Sequence, residues 1–198
     1  MKYSLCIEPV LDGISFYDRI EKAKELGLHA IEFWDPSIYD TKKIGDIAAR
    51  VGIPVACCCL NQPWEYRLNL SFDVVRRNLE RSIALGKDMG CTTFIGLSGD
   101  VAGKGDTQKA LLIESLKRLA EICEREGVMI VLEALNSLID HKGYYLDSSR
   151  IGFEIVKAVN SPRIKLLFDC YHMQLMEGNL VNNISENIEW IGHFHSAG

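Results

Sequence analysis

Apolar runs of strand length recur along the chain, and each is followed by a stretch in which apolar residues return at helical spacing. The run VMIVLEALN, residues 128–136, suffices for one buried strand and carries a carboxylate, Glu133, near its far end. IKLLFDCYH, residues 164–172, repeats the pattern, with Ile164, Leu166, Leu167 and Phe168 leading to Asp169. IGHFHSAG, residues 191–198, places His193 and His195 where the acids stood. Strands that are apolar on both faces belong to parallel sheets covered by helices, where residues at the strand carboxyl ends face the ligand crevice.

The same alternation organises the rest of the chain. Residues 3–7 predict a short strand and 15–26 an amphipathic helix, with Ser15 as N-cap and Gly27 as the stop. Strands follow at 29–34 and 54–60, separated by a helix over 41–51 that Gly52 ends. A loop over 61–69 carries Trp64 and Arg67, and Ser71 or Asp73 caps a helix reaching about Met89. Strand four spans 91–97, followed by a loop over 98–105 and a helix over 107–126 stopped by Gly127. Past strand five, a loop with Asp140, His141 and Gly143 leads to a helix over 148–159; a helix over 180–188 separates strand six from strand seven, which ends at His195. Strand starts near 3, 29, 54, 91, 128, 164 and 191 have the rhythm of βα units, whose right-handed crossovers make the strands parallel. A single domain over residues 1–198 is expected, an α/β chain of the (β/α)8 TIM-barrel type truncated after strand 7, since a full barrel takes about 250 residues. A doubly wound sheet would need a glycine-rich phosphate loop after strand one, and EPVLDG has no such fingerprint.

Composition narrows the function classes. Hydrophobic residues at 47% and charged residues at 25% are ordinary for a globular domain, and a net charge of -5 argues against a nucleic-acid or membrane-surface partner. No run approaches the roughly 18 apolar residues of a membrane span, and the start lacks a secretory apolar region. Seven cysteines, mostly inside apolar runs, fit free thiols in a reducing cytoplasm. Cys57, Cys58 and Cys59 alternate across a strand, so they read as small core side chains rather than ligands of one metal.

Glu133, Asp169 and His195 each close a different strand. Two carboxylates and an imidazole suit Mg or Mn, with Co or Zn as further candidates. A divalent ion there could polarise a carbonyl and its neighbouring hydroxyl, and a carboxylate beside it could move a proton between adjacent carbons. Considered singly, each of the three also has a structural reading: a paired acid, or a satisfied rim histidine.

The segments LEALNSLIDHKGYYL (132–146), KLLFDCYHMQLMEGNL (165–180), IGHFH (191–195) and IEFW (31–34) resemble the xylose isomerase-like barrels, and among them the hydroxypyruvate isomerase group and its sugar epimerase relatives. The resemblance spans the chain and is densest in its last third. It implies that Glu133, Asp169 and His195 are metal ligands, that Glu133 is also one of two acid/base carboxylates, and that His172 touches a substrate oxygen. It further implies a cytoplasmic isomerase or epimerase of small hydroxy-carbonyl compounds or sugars, working through an enediolate. Hydroxypyruvate isomerases are expected to have Gln at the position of His195, whereas the epimerase branch has His there. The family continues past strand seven with a substrate-binding Arg and an eighth strand whose Glu is fourth ligand and second base. The expectation is therefore either a fragment of a longer enzyme or a chain forming a homo-oligomer that covers its open edge. The alternatives are a non-catalytic metal- or sugar-binding barrel and a phosphodiesterase like the endonuclease relatives, which carry more His ligands and a basic face. His193 reads as a packing or supporting residue. Trp34, Trp64 and Tyr66 are candidates to line a sugar pocket, and Asp140 and His141 read as loop surface.

Overall fold

The structure, a computed structural model, describes residues 2–60, 68–100 and 105–197. Seven strands follow chain order in the sheet: β1 (Ser4–Cys6), β2 (Ala30–Phe33), β3 (Val55–Cys59), β4 (Thr93–Leu97), β5 (Met129–Glu133), β6 (Ile164–Asp169) and β7 (Ile191–His195). Between them lie α1 (Ile7–Val10), α2 (Phe16–Glu25), α3 (Thr41–Val51), α4 (Phe72–Met89), α5 (Asp106–Glu126), α6 (Ser149–Val159), α7 (Cys170–Met176) and α8 (Leu180–Asn187). Two compact units share the chain. One holds the residues before position 67 together with Arg76–Phe94; the other holds Arg67–Val75 and everything from Ile95 onward, so α4 and β4 run across the boundary.

In the first unit β1, β2 and β3 pair in parallel, with Cys6 level with Glu32 and Glu32 level with Cys57. The α3 helix shows why its segment folds as it does. Asp40 accepts from the Lys43 amide at the start, Gly52 closes the end at φ 68°, and Thr41, Ile44, Ile47 and Ala48 form one buried stripe. Cys57 donates to the buried Glu32 carboxylate, whereas Cys58 lies 4.0 Å from Cys91, so the alternation of the triplet sends neighbouring thiols to different partners. Burial first, and then the Glu32 charge, pushes the Cys57 thiol well up, and burial pushes Cys123 up to about 12. Such thiols are inert. Native protein treated with a thiol reagent is expected to lose Cys6 and Cys170 readily, while Cys57, Cys58, Cys59, Cys91 and Cys123 react only on unfolding. Mass spectrometry of peptides after timed labelling checks this, and fast labelling of Cys58 or Cys91 would contradict the packing.

In the second unit β5, β6 and β7 pair in parallel. Their helices close in tightly. A Cβ added to Gly152 of α6 would lie 2.5 Å from a Leu166 methyl, so glycine is what lets α6 approach β6. Ile130, Leu132, Leu166, Leu167 and Phe168 are fully buried, and each contributes about 1.5–3 kcal/mol by leaving water.

Two elements differ from the pattern-based expectation. Ile7, read as the end of the first strand, instead opens the short helix α1, where Arg19 donates to the Ile7 and Glu8 carbonyls. The segment after Asp169 turns at once into α7. Trp64, Tyr66 and Arg67 lie outside the described residues. Among the described residues, no helix is long and apolar enough to cross a membrane.

Candidate functional site

Register decides which side chains meet in the second unit. Glu133 is level with Leu167, Leu167 with His193, and Asp169 with His195. Side chains alternate along a strand, so Leu167 and Asp169 share a face, with Glu133 and His193 on one level and His195 on the next. The alignment depends on a bulge. Leu166 pairs with Ile191, but Leu167 pairs with His193, so Gly192 is the extra residue of β7. Without it Asp169 would face Phe194, and a one-residue slip would turn both histidines to the other side. A Cβ at Gly192 would lie 2.8 Å from side-chain carbons of both Lys165 and Val131, so the bulge requires glycine.

Glu133, Asp169 and His195 consequently offer ligand atoms that all lie within 4.8 Å of one another. His195 Nδ1 is 2.9 Å from Glu133 Oε1 and 3.8 Å from Asp169 Oδ2. Donors held about 2.0–2.3 Å from a common cation lie about 3 to 4.5 Å apart, so the spacing and the two-oxygen, one-nitrogen set both fit a divalent ion. Both carboxylates are buried, at 8% and 5% exposure, which limits competition from water.

Each member is held from behind. Buried Tyr144 donates to the Glu133 carbonyl at 3.0 Å and accepts from the Ser98 amide at 2.9 Å, which ties the ends of β4 and β5. Asp169 Oδ1 accepts from the His172 amide at 3.0 Å and caps α7, leaving Oδ2 for the cluster. The cap brings His172 back over the strand end, with Nε2 3.9 Å from Asp169 Oδ2. The His193 ring stands edge-on to His195 with centroids 5.3 Å apart.

Sequence reasoning missed the layer beside His172. Asn136, fully buried, lies 2.7 Å from His172 Nδ1 and donates to Asp140 at 2.7 Å, and Tyr171 donates to the same Asp140 oxygen at 2.9 Å. Asp140 is exposed, as its loop position suggested, yet the hydrogen bond from Asn136, followed by that from Tyr171, holds its carboxyl below the ordinary 3.8. Above that ordinary value the carboxylate ties the loop; the tie is lost as pH falls through the lowered value. His141 also leaves the plain surface role, its ring edge-on to His172 at 5.4 Å. An Asn opening the loop after a strand was the available signal, because its side chain can bond backbone amides ahead of it. Trp34 is 47% exposed at the end of β2.

Residues 20–198 match the family described as xylose isomerase-like TIM barrel. The chain belongs to that family. The α/β architecture, with seven strands in chain order among the described residues, is accordingly consistent with a truncated TIM barrel. Among curated relatives of this family, the putative hydroxypyruvate isomerase of Mus musculus is 32% identical over 62% of this chain and 46% of its own length. The hydroxypyruvate isomerase of Escherichia coli K12 is 27% identical over 100% of this chain and 80% of its own length. The chain thus spans about half the length of the first of these and four-fifths of the second. A crystal structure titled AP endonuclease, family 2 from Brucella melitensis superposes with a TM-score of 0.91 at 20% identity, covering 99% of this chain and 79% of that one.

Proposed function

We propose that this xylose isomerase-like chain carries the site of a cytoplasmic, metal-dependent isomerase or epimerase of small hydroxy-carbonyl compounds, with hydroxypyruvate and tartronate semialdehyde the first pair to try. The observation that carries the reading is the convergence of Glu133, Asp169 and His195 at the ends of three neighbouring parallel strands. Similarity to the Escherichia coli hydroxypyruvate isomerase along the whole chain supports the substrate class.

On this reading Glu133, Asp169 and His195 hold the ion, Mn or Mg before Co or Zn. When bound, the ion supplies positive charge against an oxygen that becomes negative as a proton leaves the neighbouring carbon. Glu133 serves as a carboxylate that takes a proton from one carbon and returns it to the next, since a proton-transfer group must stand beside the reacting carbons. His172 donates to a substrate oxygen. The buried setting strengthens each of these contacts, because fewer waters screen them. A net charge of -5 weighs against a phosphodiesterase acting on nucleic acid.

The test is interconversion of hydroxypyruvate and tartronate semialdehyde by the purified chain after EDTA treatment, with and without added Mn²⁺. Turnover that appears with Mn²⁺ and vanishes with EDTA supports the proposal. Calorimetry showing Mn²⁺ binding with no turnover of hydroxypyruvate or of a ketose such as psicose would favour a non-catalytic binding domain.

A further inference from the structure

The orientation of the Asn136 amide follows from its surroundings. The Ile139 and Asp140 amides both donate to Asn136 Oδ1, at 3.1 and 3.0 Å, so the oxygen faces the backbone and the nitrogen faces outward. Of the two hydrogens on Nδ2, one goes to Asp140 Oδ2 at 2.7 Å, and the other points at His172 Nδ1, also at 2.7 Å. Tyr171 donates to the same Asp140 oxygen, which fixes the carboxylate that fixes the amide. A ring nitrogen that faces an N–H at hydrogen-bond distance must be the acceptor of that bond. A neutral imidazole with Nδ1 as acceptor carries its hydrogen on Nε2, and Nε2 is the atom turned toward the Glu133, Asp169 and His195 cluster, 3.9 Å from Asp169 Oδ2.

We propose that Asn136 is a positioning residue that locks His172 as the Nε2–H tautomer, so that the ring offers a donor, and not an acceptor, to an oxygen of the substrate held at the cluster. The inference rests on the isomerase reading for its substrate and on Asn136 alone for its geometry. It narrows the ligand class. The atom next to His172 is an acceptor, such as a carbonyl or an enediolate oxygen, and a compound with an ammonium group at that point finds a donor facing a donor. It also gives the loop of residues 136–141 a role beyond closing the strand. The loop folds back through Asn136 so that a buried amide, rather than water, sets the state of the ring.

The experiment is long-range proton–nitrogen NMR of the full chain labelled with ¹⁵N-histidine, at a pH about two units above the usual imidazole value, for the wild type and for Asn136→Asp. The wild-type His172 is expected to show a protonated Nε2 and a bare Nδ1. In Asn136→Asp a carboxylate oxygen faces Nδ1, and the hydrogen is expected to move to Nδ1. Turnover of the variant is expected to fall about 10–100-fold with Mn²⁺ affinity unchanged, as for other residues that orient a site group from behind. A hydrogen on Nδ1 in the wild type, or an unchanged ring in the variant, overturns the proposal whatever the turnover. A tautomer switch in a chain that turns over no hydroxy-carbonyl compound upholds the role of Asn136 and rejects the isomerase reading instead.

Discussion

Replacing Glu133 with Gln is expected to lower turnover by about 10²–10⁴-fold, the range a positioned proton-transfer group contributes, and to abolish the stabilisation that Mn²⁺ gives the chain. Gln has the shape of Glu, and the variant keeps the Tyr144 hydrogen bond to the residue-133 carbonyl, so the backbone of β5 has no reason to move. What changes is charge. In the wild type two carboxylates and an imidazole present ligand atoms within 4.8 Å of one another, and Glu133 Oε1 shares a 2.9 Å hydrogen bond with His195 Nδ1 that the amide oxygen of Gln can also accept. The metal-free variant is therefore expected to melt close to the metal-free wild type, while only the wild type shifts upward on adding the ion. At a free concentration a hundred times the dissociation constant, that shift corresponds to about 2.7 kcal/mol. Thermal unfolding in EDTA and in excess Mn²⁺, beside the turnover assay, reads all three effects. A variant that keeps the metal shift and most of its turnover would remove Glu133 from both roles.

How much of this could be read from the chain differs by element. The caps at Ser15 and Gly52 were legible because a side-chain acceptor or a glycine leaves a local mark. The acids at the ends of β5 and β6 were legible because a carboxylate breaks an otherwise apolar run. The register of β7 was not. Its alternation suits either of two slips, and the choice is made by Gly192 closing against Lys165 and Val131, residues far away in sequence. The helix α7 was hidden because CYHMQLM continues the apolar character of β6, and only the Asp169 side chain turning back to the His172 amide marks the break. The Asn136 network was hidden for a related reason: Asn136 marks the turn that follows β5, but nothing local links it to His172 or Tyr171 until the fold lays the loop against α7.

Asp169 has two oxygens with separate tasks, and two substitutions separate them. Oδ1 accepts from the His172 amide at the start of α7, while Oδ2 faces His195 Nδ1 at 3.8 Å and His172 Nε2 at 3.9 Å. Asn caps a helix about as well as Asp does, so Asp169→Asn is expected to keep the cap and lose the anionic ligand. Its metal-free stability should match the wild type, its Mn²⁺-induced shift should vanish, and turnover should fall as far as in the Glu133 variant. Asp169→Ala loses the cap as well, which costs about 1 kcal/mol. That difference should show in urea titrations of the two variants in EDTA. It should also show at the ring of His172, because an uncapped first turn no longer holds the residue over the strand end. Equal stability of the two variants would mean that α7 does not depend on Asp169 for its start. A preserved metal shift in Asp169→Asn would mean that the cluster binds no ion through this residue, and the proposal of a metal-dependent isomerase site would fall with it.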